Sequence, residues 1–203
     1  PNDGRTLFEI DTSAHEQVGR TLGGKLELLS VLNQDRYGVL YKARQLSVDR
    51  IVAVKVLKSK LTNNSVAVRR YLQTLQTIRD LHPPYMVTLH DFDQTEDGLV
   101  YVSMELLKGE RLADRLHRQG AMSLEDTAAI LSPCCEALQA LHGSSLIHRS
   151  LTPESIFLVD TPEGDQIKLV DIACAKLLLF AIFCSAFWLG KKSHYCARNA
   201  EYK

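Results

Sequence analysis

The sequence has no excess of charge of either sign: Lys plus Arg total 24, Asp plus Glu total 24, and the formal net charge is zero. Without a global field there is nothing to draw in a polyanion, so no nucleic-acid partner is expected. There is no Cys-x-x-Cys pair, and the five cysteines (Cys134, Cys135, Cys174, Cys184 and Cys196) leave one over from any set of disulfides. Reduced, mostly buried thiols in a cytoplasmic setting are the expectation. Pro1 opens the chain with neither an initiator Met nor an apolar signal segment, and a fragment is one reading of that start. Long apolar runs are scarce and no internal repeat is evident. What is present is ordinary for a folded domain. The 203 residues are 45% apolar and 24% charged, enough for one domain with a real core or for part of a larger one.

Residues 1 to about 20 are polar and aperiodic and read as a leader, with Gly23-Gly24 marking the entry to a domain. Strand-like runs follow at 26–32, 38–44 and 51–57, rich in β-branched residues and separated by turn formers, which predicts an antiparallel meander. Residues 68–81 read as a helix with Leu72, Leu75, Ile78 and Leu81 as its apolar stripe, stopped by His82-Pro83-Pro84. Two more strands are expected at 86–92 and 99–104. Ser123-Leu124-Glu125-Asp126 resembles a capping box and opens a helix to about His142. Pro133 should kink that helix and Gly143 should cap it. Short strands at 155–159 and 166–170 complete an α+β pattern.

Several segments, in this order, resemble a bacterial-type serine/threonine protein kinase. They are Tyr37-Gly38-Val39-Leu40-Tyr41-Lys42-Ala43-Arg44, Val52-Ala53-Val54-Lys55, His82-Pro83, Met104-Glu105, Gly109-Glu110-x-Leu112, Ile147-His148-Arg149-Ser150-Leu151-Thr152-Pro153 and Lys168-Leu169-Val170-Asp171-Ile172-Ala173. The resemblance covers roughly residues 24–176. It implies a two-lobed α+β fold with a complete N-lobe at about 24–104, a five-stranded antiparallel sheet plus one helix. An incomplete helical C-lobe at about 105–176 would follow, with 1–23 as leader and 177–203 as a tail. ATP with Mg²⁺ is the implied ligand, and the changes below weaken the case for it.

Phosphoryl transfer rests on positioning and electrostatic stabilisation. The family's Gly-x-Gly-x-x-Gly loop is here Asn33-Gln34-Asp35-Arg36-Tyr37-Gly38, with only the last glycine kept. Asp35 puts a carboxylate where phosphates would lie; the loop also reads as a plain β-turn. Lys55 matches the phosphate-contacting lysine, but its helix partner falls on Gln73 or Thr74. No Glu occurs between Glu27 and Glu96. Asp171 is an alternative partner for Lys55, and a lysine snorkelling to solvent is the plain reading. In the catalytic loop, Ser150 replaces the Asp, Thr152 the Lys and Ser155 the metal-binding Asn. A serine hydroxyl is no anionic acceptor near neutral pH. Glu154 is the nearest carboxylate and a poor substitute base. Asp171 remains as the implied Mg²⁺ ligand, with Ser155 a weak second one. Ala173 stands at the last glycine of Asp-Phe-Gly.

The adenine pocket would be walled by Leu32, Gly38, Val39, Ala53, Met104, Leu107 and Phe157, with hinge backbone from Glu105 and Leu107. These are also ordinary core types. After Lys176 the composition shifts to the apolar run 177–190, read as a membrane helix, as a helix packing on the C-lobe, or, in preference, as a truncation or frameshift product. A span needs roughly 20 apolar residues, which the run falls short of. The function implied is a pseudokinase that binds nucleotide, a protein partner or both. A weakly active kinase and a non-functional fragment are the alternatives.

Overall fold

The protein is described here from a computed structural model, over residues 13–172. The apolar tail, Ala173 and the cysteines Cys174, Cys184 and Cys196 lie outside the described residues. After a short helix α1 (Ser13–Glu16), six strands form one antiparallel sheet: β1 (Thr21–Leu22), β2 (Leu26–Gln34), β3 (Gly38–Gln45), β4 (Arg50–Leu57), β5 (Leu89–Gln94) and β6 (Val100–Met104). Their order is β1-β2-β3-β4-β6-β5. The five-stranded antiparallel sheet is there, its first three strands a meander and β6 lying between β4 and β5, with β1 added at its edge. Leu22 is fully buried, so ordered packing begins before the expected start at residue 24.

Alternation decides which face of this sheet each residue occupies. Leu40 pairs with Lys55, and Lys42 with Ala53. The opposite face carries Val39, Tyr41, Val52, Val54 and Val56, which pack with Leu22, Leu26, Leu28 and Tyr101 in a separate small core.

Helix α2 (Ser59–Thr62) leads into α3 (Ser65–Leu81), which begins earlier than expected because Asn64 caps it. The Asn64 side chain accepts from the N–H groups of Val66 and Ala67, both at 3.0 Å. The face that packs on the sheet is Val68, Tyr71, Leu75 and Ile78. Leu81 is exposed and Leu72 only partly buried, because a strict three-residue stripe drifts away from a helix of 3.6 residues per turn. His82 ends the helix in a left-handed conformation, its N–H reaching the Ile78 carbonyl.

The second lobe begins with β7 (Gly109–Arg111) and α4 (Leu112–Gln119). The sequence pattern missed α4, whose eight residues carry only Leu112 and Leu116 as large apolar side chains. Helix α5 (Leu124–Gly143) is capped by the Ser123 hydroxyl, which accepts the Asp126 N–H at 3.0 Å. It runs through Pro133 and includes Gly143, the expected cap, ending at Ser144. Its buried face is Ile130, Cys134, Ala137 and Leu141. Cys135 on the next position is exposed, unlike the buried thiol expected. A short 3-10 turn (Pro153–Ser155) precedes the hairpin β8 (Ile156–Thr161) and β9 (Gly164–Leu169), which joins β7 in a three-stranded sheet.

The lobes are stitched by backbone. Val87 N–H donates to the Leu169 carbonyl at 3.0 Å, and Leu169 N–H to the Tyr85 carbonyl at 2.7 Å. One continuous core spans α3, β6, α5, β8 and β9.

Candidate functional site

A cleft of about 920 Å³ lies between the lobes. Its apolar part is formed by Leu32 and Leu40 from the upper sheet, Ala53 from β4, Met104 and Leu107 at the connection between lobes, and Phe157 from β8. Two of the expected wall residues do not belong to it. Val39 faces the opposite core, and Leu40 takes its place, because strand parity after Gly38 puts even-numbered residues of β3 on the cleft side. Gly38 contributes no open N–H, since that group donates to Asp35 Oδ1 at 3.0 Å. Gly38 is needed for another reason. A Cβ there would sit 2.1 Å from the Val56 carbonyl oxygen.

At the connection, the Glu105 carboxylate accepts from the Thr88 N–H at 2.7 Å and from Lys168 Nζ at 2.9 Å. Burial raises its pKa, but these donors outweigh burial and hold it below the usual range. The lower rim is braced by Glu110, which accepts from Arg115 and Arg118. Hydrogen bonds from Arg118 first, then Arg115, bring its pKa down to about 2.

The polar end of the cleft is organised around Lys55, 4% exposed. Its ammonium group contacts Asp171 and lies 2.8 Å from Asp35 Oδ2. Asp35 Oδ1 meanwhile accepts the N–H groups of Tyr37 at 2.8 Å and Gly38 at 3.0 Å, so the turn wraps its own carboxylate. Burial raises the Asp35 pKa, yet Lys55 and the two backbone donors bring it below the ordinary value. The Tyr37 ring covers Lys55, with Nζ 5.3 Å from the ring centroid. The Tyr37 hydroxyl shares a hydrogen bond of 3.0 Å with Ser150 Oγ on the other side of the cleft. Of the two candidate helix partners, Thr74 is buried, its hydroxyl donating to the Arg70 carbonyl at 2.8 Å, and Gln73 is exposed.

Behind this group, His148 is buried and its Nε2 lies 3.1 Å from the Val170 carbonyl. Burial pushes its pKa down and keeps the ring neutral, with Nε2 as the donor. Asp171 has φ 58° and Arg149 φ 66°, left-handed conformations uncommon for side-chain-bearing residues.

A family model for the protein kinase domain matches residues 27–181. The chain belongs to the protein kinase domain family. Among curated proteins, it is 32% identical over 163 residues to serine/threonine-protein kinase pkn3 of Myxococcus xanthus, covering 80% of this chain and 30% of that protein. It is 33% identical over 164 residues to serine/threonine-protein kinase PknA of Mycobacterium tuberculosis, covering 79% of this chain and 37% of that protein. The chain thus spans about a third of the length of these relatives. Among solved structures, the Mycobacterium tuberculosis PknI kinase domain superposes with a TM-score of 0.68 at 22% identity, over 76% of this chain and 60% of that one. That likeness supports the two-lobed fold alone.

Ser150, Thr152 and Ser155, which differ from the kinase pattern, line the cleft together with Asp35, Lys55 and Asp171. Their polar groups already have partners within the protein. The buried Ser155 hydroxyl donates to the Thr152 carbonyl at 2.8 Å and accepts the Thr152 N–H at 3.0 Å, so the weak metal ligand expected there is committed to the backbone. Asp171, the other ligand expected, is in contact with the Lys55 ammonium. Glu154, at the cleft edge, accepts from the Thr152 hydroxyl, which lowers its pKa and makes it a weaker base. Sequence reasoning placed Asp35 in the phosphate region but did not pair it with Lys55. The available signal was a carboxylate two residues before a loop aromatic, in a chain with no Glu on α3. No helix among the described residues is long and apolar enough to cross a membrane.

Proposed function

We propose that this kinase domain is a pseudokinase, working by binding an adenine-class ligand in its cleft and a protein partner on its lobes. The observation that carries this is Ser150. A hydroxyl bonded to Tyr37 stands where a carboxylate would orient the substrate hydroxyl. The serine/threonine kinase relatives support a signalling setting, the five cysteines without a Cys-x-x-Cys pair support a cytoplasmic protein, and zero net charge supports one without a nucleic-acid partner. A second reading is a weak serine/threonine kinase. It is favoured by one contact, since Lys55 and Asp171, the two retained catalytic-type residues, touch. Such an enzyme would turn over slowly through positioning alone.

The deciding experiment is transfer of the ATP γ-phosphoryl group to a general protein substrate, by the full chain and by Asp171→Ala and Lys55→Ala. The pseudokinase reading expects the wild type to be no faster than either variant. Wild-type turnover that both substitutions abolish would replace it with the weak-kinase reading.

A further inference from the structure

The polar end of the cleft already holds an anion. A phosphate bound in such a place would receive backbone N–H groups from the loop and the lysine ammonium. Asp35 takes those same donors: the N–H groups of Tyr37 and Gly38 on one oxygen and Lys55 on the other. Lys55 is additionally neutralised by Asp171, so one cation faces two carboxylates and the local balance is one negative charge. Tyr37 then closes the region. It is 5% exposed, its ring lies over Lys55, and its hydroxyl spans the cleft to Ser150. Arg36 is the other cation lining this region; its guanidinium stacks on the outside of Tyr37, 4.9 Å from the ring centroid, and it makes no ion pair with Asp35 or Asp171 among the described residues. A polyphosphate would have to displace Asp35 from all three donors and bring further negative charge beside Asp171. The other end of the cleft has no such conflict. Ala53, Met104, Leu107 and Phe157 offer a flat apolar slot to a planar ring.

We propose that the cleft selects an uncharged adenine nucleoside and rejects its polyphosphates, with Asp35 acting as a built-in substitute for the phosphate. This rests on the reading of the cleft as an adenine-class site. Asp35 is a specificity residue here: it sets what the neighbouring pocket accepts by occupying the phosphate donors itself.

The test is a calorimetric titration of the full chain with adenosine, AMP, ADP and ATP, without and with Mg²⁺, followed by the same series on Asp35→Asn. In the wild type, affinity should fall at each added phosphate, with ATP at least tenfold weaker than adenosine. In Asp35→Asn the ratio of ATP to adenosine affinity should rise at least tenfold. ATP binding the wild type as tightly as adenosine would overturn the inference and leave the adenine site standing, and so would an unmoved ratio in a folded variant. Absence of binding by every member of the series, in both proteins, would overturn the site and the inference together. The wild-type series needs no variant, so it decides the matter even where Asp35→Asn does not fold.

Discussion

Taking away the Lys55 ammonium would leave Asp35 and Asp171 facing each other with side chains 22% and 15% exposed. Removing one member of a buried charge cluster is far more damaging than the net worth of the pair, because the remaining charge keeps its desolvation cost. Lys55→Met should therefore lower stability by about 3 kcal/mol in urea unfolding, whatever its effect on ligand binding. Adding Asp35→Asn to that variant should recover part of the loss. An additive double variant would show that the two residues do not interact. The sequence alone carries a hydroxyl at Ser150, which is no anionic acceptor near neutral pH, and no Glu on the helix that follows Lys55. It does not reveal Tyr37 reaching Ser150, because those residues are 113 positions apart and only the closure of the lobes brings them together.

At the scale of elements, β3 and β4 carry the site and Gly38 sets how closely they approach. A side chain at 38 would place its Cβ 2.1 Å from the Val56 carbonyl, a contact only a backbone shift could relieve. Gly38→Ala should cost about 2 kcal/mol through this overpacking and weaken adenosine binding, since the shift moves Leu40 and Lys55 on the same face. Wild-type stability and binding in the alanine variant would show that the strands have room to adjust. The strands were legible because β-branched runs between turn formers have few alternatives. Helix α4 was not, since two leucines in eight residues make no decisive period, and its place is fixed by contact with β7, β8 and the 3-10 turn. The stripe on α3 was read correctly at Leu75 and Ile78 and missed at its ends, where Leu81 is exposed and Leu72 only partly buried. Val68 and Tyr71 belong to the buried face, and which face is buried depends on where the sheet lies.

Across the whole molecule, a shared core and the Tyr85–Val87 pairing with Leu169 bind the lobes into one body. Thermal unfolding of the full chain should show one transition with coincident midpoints by far-ultraviolet and near-ultraviolet circular dichroism; two midpoints would mean separately folding lobes. The midpoint should also fall on acidification. His148 is buried neutral and its pKa is lowered from 6.5, so as pH drops below that value the unfolded chain takes the proton first and stability is lost. His90, also lowered by burial, adds to the same slope. Asp35 acts in the same direction in a lower window, below its ordinary 3.8, where its ionised form is stabilised only in the folded state. His148→Gln should flatten the slope between pH 7 and pH 5.5. An unchanged slope would remove His148 from the account.

The sequence by itself determined the family, the run of strands and the loss of the carboxylate at position 150, because these are written in residue types and in local periodicity. The tertiary structure decided that Leu40 and not Val39 faces the cleft, that Thr74 and not Gln73 is buried, and that Lys55 is held between Asp35 and Asp171. Those outcomes depend on strand parity relative to a partner and on contacts between residues 20 and 116 positions apart, which come into being only when the sheet pairs and the lobes close.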